Sequence, residues 1–302
     1  MTPALLLIAL AVAAPEEIAP FWRDTLERLA HVPMNAVVEP VKEPLPYRKF
    51  RVTLTSLDNV QIRGYLAVPI RGEGGGKPLP AIITAPGYGG SQQGIMLDEC
   101  QRGYVVLQLY PRAQGESAAL WNGPVQEKLV WGIEKPQGFY YQGAYADMVR
   151  GVDFLTSYKD VDPERIAAIG TSQGGGFVLA LAGLDKRVKS VVAHVPFLCD
   201  FRTAARTERS LVKQILDKAG RNEERYWGTL DYFDPVQLGA NIRVPALVST
   251  GGKDTTCPAV TIRAVFDRLA GVKSLVHYPE LPHTSSEGFY RMTWEWVGAY
   301  LR

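Results

Sequence analysis

The stretch Gly170-Thr171-Ser172-Gln173-Gly174 decides how this chain folds. An apolar run, 165–169, precedes it and a small-residue helix pattern, 174–183, follows it, which predicts a buried strand, a sharp turn and a helix. A serine on such a turn has strained backbone angles and brings strand and helix close together, so small neighbours are required. The pattern favours a nucleophile elbow over a purely structural turn. The N–H groups that begin the helix would then point at an anion formed beside Ser172.

Strand and helix patterns alternate on both sides of this stretch. Further strands are predicted at 81–84, 105–109, 188–195, 246–250 and 274–278, with helices over 144–156 and from the last strand to Leu301. An amphipathic helix, 16–29, and an antiparallel edge hairpin, 47–56 with 60–68, come first, and a glycine-rich surface loop, 71–78, follows the hairpin. This alternation predicts an α/β fold whose central sheet is mainly parallel, with helices on both faces.

The length and the net charge limit which domain organisations and which classes of partner are plausible. The 302 residues fit a single α/β domain, 15–302, with a helical insertion at roughly 199–240 after the sixth strand, over or beside the site. A net charge of +2 gives no basic footprint for nucleic acid, so a small or neutral substrate is expected.

The N-terminus has the pattern of a secretory signal. Residues 1–14 contain an apolar run that ends in small residues, although no Lys or Arg precedes the run. We expect cleavage near Ala13 or Ala14, a secreted or periplasmic location, and no membrane association after cleavage; the alternative is an N-terminal anchor. The run is short for a membrane span.

Three cysteines exclude a disulfide framework. Cys100, Cys199 and Cys257 allow at most one internal disulfide, and none has the spacing of a structural zinc site. Each is interpreted as a small buried residue.

A nucleophilic serine needs a base, and the chain has four histidines. His283 follows the predicted strand 274–278 and precedes the final helix, where the chain order serine, acid, histidine places the base. His277 lies within that strand, and His194 lies in a strand of buried type, where a hydrogen-bonded core histidine is the simpler interpretation. His31 lies far from the motif in sequence and is a weak candidate.

The loop after strand 246–250 supplies the acid. Asp254 there would orient His283 and stabilise its charged form, although an Asp at this place could also cap the next helix. Asp200 and Asp234 are alternatives that do not follow a core strand in the required order. The N–H groups of Gln173, just after the nucleophile, and Tyr88, in the glycine-rich loop 85–90, are the predicted oxyanion donors. A phosphate cradle is the weaker interpretation of that loop, because neither phosphate-binding glycine motif is present.

These residues resemble carbohydrate esterase family 7, the acetyl xylan esterase and cephalosporin-C deacetylase family, over nearly the whole mature chain. The resemblance implies the α/β-hydrolase fold, a triad of Ser172, Asp254 and His283, and small acetyl esters of sugars as substrates, with no metal or organic cofactor. It also implies an acyl pocket among Tyr88, Pro196 and Phe197, and a homo-oligomer, often a hexamer. The motifs that carry it are Phe21-Trp22, Pro86-Gly87-Tyr88-Gly89-Gly90, Arg112-Ala113-Gln114-Gly115, Tyr140-Tyr141 to Asp147, Gly170 to Gly175, Val195 to Phe201 and Gly252 to Pro258.

The chain departs from this family at two positions. Ala113 replaces the glycine of an Arg-Gly-Gln motif, in which the roles of Arg112 and Gln114 look structural; the added methyl is expected to be mild. Thr284 replaces a glutamate after the histidine, which removes a carboxylate beside His283 and could change substrate preference or pH response.

The sequence therefore predicts a secreted serine esterase that deacetylates carbohydrates such as acetylated xylo-oligosaccharides, and that could also accept cephalosporin C. The alternatives are another activity on the same fold (glucuronoyl esterase, dienelactone hydrolase or a peptidase) and a non-catalytic binding protein, since fold does not fix function.

Overall fold

The computed structural model describes residues 15–71, 76–91, 95–123 and 127–301, and the predicted signal segment, 1–14, lies outside them. The strands in these ranges are β1 (Val37–Pro40), β2 (Tyr47–Thr55), β3 (Gln61–Pro69), β4 (Leu79–Thr84), β5 (Val105–Tyr110), β6 (Val161–Thr171), β7 (Val188–His194), β8 (Ala246–Gly251) and β9 (Lys273–Tyr278). The helices are α1 (Pro15–Ala30), α2 (Tyr140–Ser157), α3 (Gln173–Leu184), α4 (Phe201–Arg206), α5 (Leu211–Lys218), α6 (Glu224–Leu230), α7 (Pro235–Leu238), α8 (Ala259–Arg268) and α9 (Glu287–Tyr300).

All these strands form one mixed sheet in the order β1-β2-β3-β5-β4-β6-β7-β8-β9. The first three pair antiparallel, β3 also pairs antiparallel with β5, and β4 to β9 run parallel to β5. Helices cover both faces, so β5 and β8 are buried along almost their whole length. The predicted sheet architecture is confirmed. Parallel strands end at one edge, which brings the loops after β4, β6, β8 and β9 together.

Three features of the fold differ from the sequence prediction. The hairpin of β2 and β3 is not at the edge, because β1 pairs outside it; all four β1 residues are exposed and show no alternation. With this extra strand, the helices of the insertion, α4 to α7, follow the seventh strand rather than the sixth. Helix α2 begins at Tyr140, four residues before the predicted start. The prediction missed this first turn because Tyr140 and Tyr141, which are buried aromatic residues, do not show a helical period.

Aromatic packing holds α1 and the insertion on the domain. The Trp22 ring stacks on Tyr145 of α2, with ring centroids 5.7 Å apart, and its indole N–H donates to the carbonyl of Tyr232 at 2.8 Å. Phe21 packs edge-on against Tyr232 and Phe233. Burial of such rings is one of the larger contributions to stability, so α1 is part of the core.

The three cysteines are free and buried, which agrees with their interpretation as small core residues. Within the part of the chain that the structure describes, none of the helices combines the length and the apolar character that crossing a bilayer requires.

The close contact of β6 with α3 gives a stability prediction. A Cβ atom on Gly170 would lie 2.2 Å from the carbonyl oxygen of Gly174, so Gly170→Ala must force the elbow open. We expect a loss of about 1–3 kcal/mol in the free energy of unfolding, measured by urea denaturation. The matched control is Gly298→Ala in α9, where an added Cβ meets nothing within 4 Å. This control should gain up to about 1 kcal/mol from helix propensity. Equal stability of the two variants would contradict the prediction.

Candidate active site

Ser172 lies between the end of β6 and the start of α3 with φ 56° and ψ −122°. A non-glycine residue in such a conformation costs on the order of 1–3 kcal/mol, so the surroundings must hold it. Its N–H donates to the carbonyl of His194 at 2.9 Å, and its carbonyl accepts from the N–H groups of Phe197 at 2.8 Å and Gly176 at 3.1 Å. The turn that the sequence predicted is therefore present, and neighbouring backbone fixes it on both sides.

The structure brings Ser172, His283 and Asp254 into one hydrogen-bonded line. The Ser172 Oγ lies 2.9 Å from the Nε2 atom of His283, and the His283 Nδ1 atom lies 2.7 Å from Oδ2 of Asp254. The Asp254 carboxylate is buried, and its Oδ1 accepts from the Cys257 N–H at 2.8 Å, whereas a quarter of the His283 side chain is exposed. With Nδ1–H donated to Asp254, Nε2 is free to accept the serine proton.

The alternative residues take other positions. His277 is exposed on β9, and His31 contacts the carbonyl of Glu27 near the end of α1. Asp200 caps α4 by accepting from the Thr203 N–H. Asp234 accepts the N–H groups of Asp200 and Phe201, and its burial raises the pKa of its carboxyl group to about 7. These aspartates organise the insertion.

The loop after β4 forms a tight turn beside the elbow. Gly90 N–H donates to the Gly87 carbonyl at 2.9 Å, and Gly87 N–H donates to the Ser91 carbonyl at 3.1 Å. The peptide N–H of Tyr88 takes part in neither bond. Gly174 permits the approach of this loop, since a Cβ there would lie 2.3 Å from the carbonyl oxygen of Ala85.

The side chain of Gln173 ties this loop to α2. Its amide Nε2 lies 3.2 Å from the Gly87 carbonyl oxygen and 3.5 Å from that of Pro86, and its Oε1 accepts from the Tyr141 hydroxyl at 2.9 Å. Sequence reasoning used only the backbone of Gln173 and missed the role of Tyr141. The one available signal was an amide side chain directly after the nucleophile.

A cavity of about 400 Å³ opens beside the turn. Tyr88 and Gly89 form one side, and α5 forms the other through Leu211 and Ile215. The pair Glu127 and Lys218, with 2.9 Å between carboxylate and ammonium, lies at its margin. The volume is within the usual range for small-ligand pockets.

Of the three residues predicted to form an acyl pocket, Tyr88 lines this cavity, whereas Pro196 and Phe197 are buried and do not line it. Phe197 packs edge-on against the Tyr88 ring, with centroids 5.7 Å apart.

One group of side chains at the site has ligand types for a metal ion. Asp254, Cys257 and His283 offer donor atoms within 4.8 Å of one another. The same carboxylate and imidazole atoms form the short hydrogen bond of the serine line, and burial raises the pKa of the Cys257 thiol well above its usual value. Asp254 and His283 therefore already bind each other through the atoms that a metal ion would use.

Comparison with known proteins identifies the family of the chain. The family model described as acetyl xylan esterase (AXE1) matches residues 10–299. The chain belongs to this family. The acetyl xylan esterase from Paenibacillus sp. R4 is 30% identical, with a TM-score of 0.85 over 94% of this chain and 95% of that one. Acetyl xylan esterase 1 from a Thermoanaerobacterium species has the same TM-score, 0.85, over 96% and 95% of the two chains at 21% identity, which bears on the fold alone.

Among curated proteins, the acetyl esterase Axe7A of Xylanibacter ruminicola is 24% identical over 93% of this chain. The chain spans 66% of the length of Axe7A, and 34% of that of another match, the uncharacterized peptidase YuxL of Bacillus subtilis, at 23% identity. The family and these similar structures confirm the α/β-hydrolase fold and indicate a carboxylic ester hydrolase.

The motif Arg112-Ala113-Gln114 supports the loops around the site of this acetyl xylan esterase family member. Arg112 is buried and holds Asp147 through Nε at 2.9 Å and Nη2 at 2.8 Å. Gln114 is buried, with its Cα 3.9 Å from the position that a Cβ on Gly90 would take. Ala113 adopts φ 61°. An L-residue in the left-handed region costs about 1–2 kcal/mol. Replacing the glycine of the motif with alanine therefore has a larger energetic cost than the small size of the methyl group predicts.

Thr284, at the other departure, is exposed. Its neighbour Ser285 makes a contact that sequence reasoning missed. The Ser285 Oγ lies 3.0 Å from Nδ1 of His194, and the Nε2 atom of His194 lies 3.2 Å from the Thr293 hydroxyl of α9. His194 is thus a hydrogen-bonded core residue, as expected, and it joins the His283 loop to the strand whose carbonyl holds Ser172.

The burial of His194 predicts a pH dependence of stability. Desolvation lowers the pKa of its imidazole from 6.5 to about 4. Between these values the unfolded chain binds the proton and the folded chain does not, so stability is full above about pH 6.5 and falls as the pH drops toward 4. The contribution of His194 reaches about 3 kcal/mol.

We expect His194→Gln, which keeps a polar amide, to show a smaller loss of unfolding free energy between pH 6.5 and 4 than the parent protein. Urea denaturation across this pH range is the measurement, and His277→Gln, at the exposed histidine of β9, is the control. Parallel curves for the parent and His194→Gln would contradict the assignment.

Proposed function

We propose that this protein is a serine acetyl esterase that removes acetyl groups from carbohydrates such as acetylated xylo-oligosaccharides. The observation that carries the proposal is the line from Ser172 through His283 to the buried Asp254, with contacts of 2.9 and 2.7 Å. Membership of the acetyl xylan esterase family and the similarity to Axe7A support the choice of acetyl group and sugar. Cephalosporin C, also an acetyl ester, is a second substrate to test.

The reaction follows a two-step acyl-enzyme route. Ser172 Oγ attacks the acetyl carbonyl carbon while Nε2 of His283 takes the hydroxyl proton. The N–H groups of Tyr88 and Gln173, the latter at the start of α3, face the developing oxyanion. Collapse of the tetrahedral intermediate breaks the bond to the sugar oxygen, which receives the proton from His283. Water, deprotonated by His283, then attacks the acetyl-enzyme, and acetate leaves as Ser172 regains its proton.

The surroundings support each step. The buried Asp254 stabilises the imidazolium that forms twice in the cycle, and the Cys257 N–H keeps this carboxylate in place. The Gln173 side chain fixes the loop that holds the second oxyanion donor, so both donors are organised before substrate binds. Such preorganisation is worth about 10²–10³ in rate for each donor. The cavity beside Tyr88 has room for the alcohol part of the ester.

Two further parts of the sequence prediction belong to this proposal. Export follows from the signal pattern in residues 1–14, and assembly into a homo-oligomer follows from the family resemblance.

Acetate release tests the mechanism. Ser172→Ala should lower kcat on p-nitrophenyl acetate and on acetylated xylo-oligosaccharides by at least about 10⁴-fold, because it removes the nucleophile. The control is Ser157→Ala at the end of α2, whose hydroxyl contacts only the local carbonyl of Phe154 among the described residues and should leave the rate unchanged. Retention of activity in Ser172→Ala would overturn the proposed mechanism.

The same assay tests the substrate class. Turnover of acetyl esters well above that of p-nitrophenyl octanoate, extending to the sugar acetates, supports the proposal. Preference for the octanoate, with no action on the sugar acetates, would keep Ser172 catalytic and exclude the carbohydrate assignment. Absence of any turnover would favour a binding protein.

A further inference from the structure

A second cavity, of about 510 Å³, lies outside the serine line, between the loop after β5 and the start of α2. We call it the aromatic cavity; its lining includes Trp121, Trp131, Phe139, Tyr140, Arg112 and Asp58. Trp121 and Trp131 are stacked, with ring centroids 5.9 Å apart and planes 14° apart, and Trp131 packs edge-on against Tyr140 at 5.4 Å. Such clustered rings offer flat apolar surface with polar tips.

Charged groups lie at the margin of these rings. The Arg112 guanidinium holds Asp147 through Nε and Nη2, while Nη1 lies over Gly143, another residue that lines the cavity. The exposed Asp58 adds a carboxylate that also pairs with Arg28 at 2.6 Å. A guanidinium donates and a carboxylate accepts, so the two can bind hydroxyl groups, which do both.

A third cavity, of about 450 Å³, adjoins the second. Trp121 and Val60 line both of them, and three residues with amide side chains, Asn59, Gln61 and Asn122, line the third. Amide side chains also donate and accept hydrogen bonds. The two cavities together form a strip with aromatic surface at one end and amide groups at the other, larger than a single small ring requires.

We propose that this strip is an accessory binding site for an oligosaccharide chain, with one pyranose ring against the tryptophans and the next among the amides. A pyranose has an apolar C–H face and a hydroxyl rim, and the strip matches both. A flat aromatic ligand would use the rings but not the amides, and an anionic ligand would meet the carboxylate of Asp58.

The site shares two elements with the serine line. Tyr140 lines the aromatic cavity, and the next residue, Tyr141, donates to the side chain of Gln173. The segment 128–131 runs from the Tyr88 ring, where the Lys128 ammonium lies 5.6 Å from the ring centroid, to Trp131. A chain bound in the strip would therefore contact the start of α2, which holds the Gln173 side chain, and the segment that packs on Tyr88. That the bound chain is also the substrate rests on the proposed function; the binding itself does not.

Binding of unacetylated xylotetraose to the Ser172→Ala protein, measured by isothermal titration calorimetry and by tryptophan fluorescence, tests the proposal. We expect saturable binding whose Kd rises at least about tenfold in Trp121→Ala and also rises in Gln61→Ala, an exposed residue of β3 whose replacement leaves the aromatic packing intact. The matched control is Trp294→Ala in α9, a tryptophan that packs against Tyr104 and Tyr290 and lines neither cavity. Its Kd should not change.

Kinetics on the active enzyme give an independent readout. The Trp121→Ala and Gln61→Ala variants should lower kcat/KM for acetylated xylo-oligosaccharides relative to p-nitrophenyl acetate, mainly through KM, because the small ester does not reach the strip. No saturable binding, or equal Kd values in Trp121→Ala and Trp294→Ala, would overturn the inference. If xylotetraose binds but no acetate is released from acetylated xylo-oligosaccharides, the accessory site stands and the proposed function is wrong. If acetate is released but xylotetraose does not bind, the proposed function stands and the accessory site is wrong.

Discussion

The backbone strain at Ser172 is the constraint on which the rest of the site depends. A serine at φ 56° persists only because the carbonyl of His194 and the N–H groups of Phe197 and Gly176 hold its peptide groups. Gly170 and Gly174 allow β6, α3 and the loop after β4 to approach to distances that any Cβ would prevent. The strained turn thus places one hydroxyl at the carboxyl edge of the sheet, 2.9 Å from Nε2 of His283.

The other residues of the site are arranged around that hydroxyl. The loop after β8 supplies a buried carboxylate and the loop after β9 supplies the imidazole, and parallel strands deliver both to the same edge. His194 connects the strand that supports the elbow with the His283 loop through Ser285, and Gln173 connects the elbow with the Tyr88 turn. Hydrogen bonds thus tie the His283 loop and the Tyr88 turn to β7 and to the elbow.

Two cavities lie outside the hydrogen-bonded line, and loops and a helix of the insertion contribute to their walls. Helix α5, between β7 and β8, lines the cavity beside Tyr88, and the loop after β5 carries the stacked tryptophans of the aromatic cavity. Arg112 lies between these regions and the core: it holds Asp147 of α2 and is itself held by α2, since the Tyr140 hydroxyl donates to its carbonyl. The serine line thus lies at the ends of the sheet strands, whereas the two cavities lie among the segments around it.

The sequence by itself determined the parallel strands, the elbow and the chain order of Ser172, Asp254 and His283, because small residues at a sharp turn and apolar runs of strand length are local patterns. Only the tertiary structure decided which side chains meet. Strand β1 has no buried face and so no pattern, the left-handed Ala113 carries no mark in composition, and the contacts of Gln173 with Tyr141 and of Trp121 with Trp131 join separate segments. Local periodicity encodes which face of an element is buried, whereas the partner across that face depends on how the elements pack.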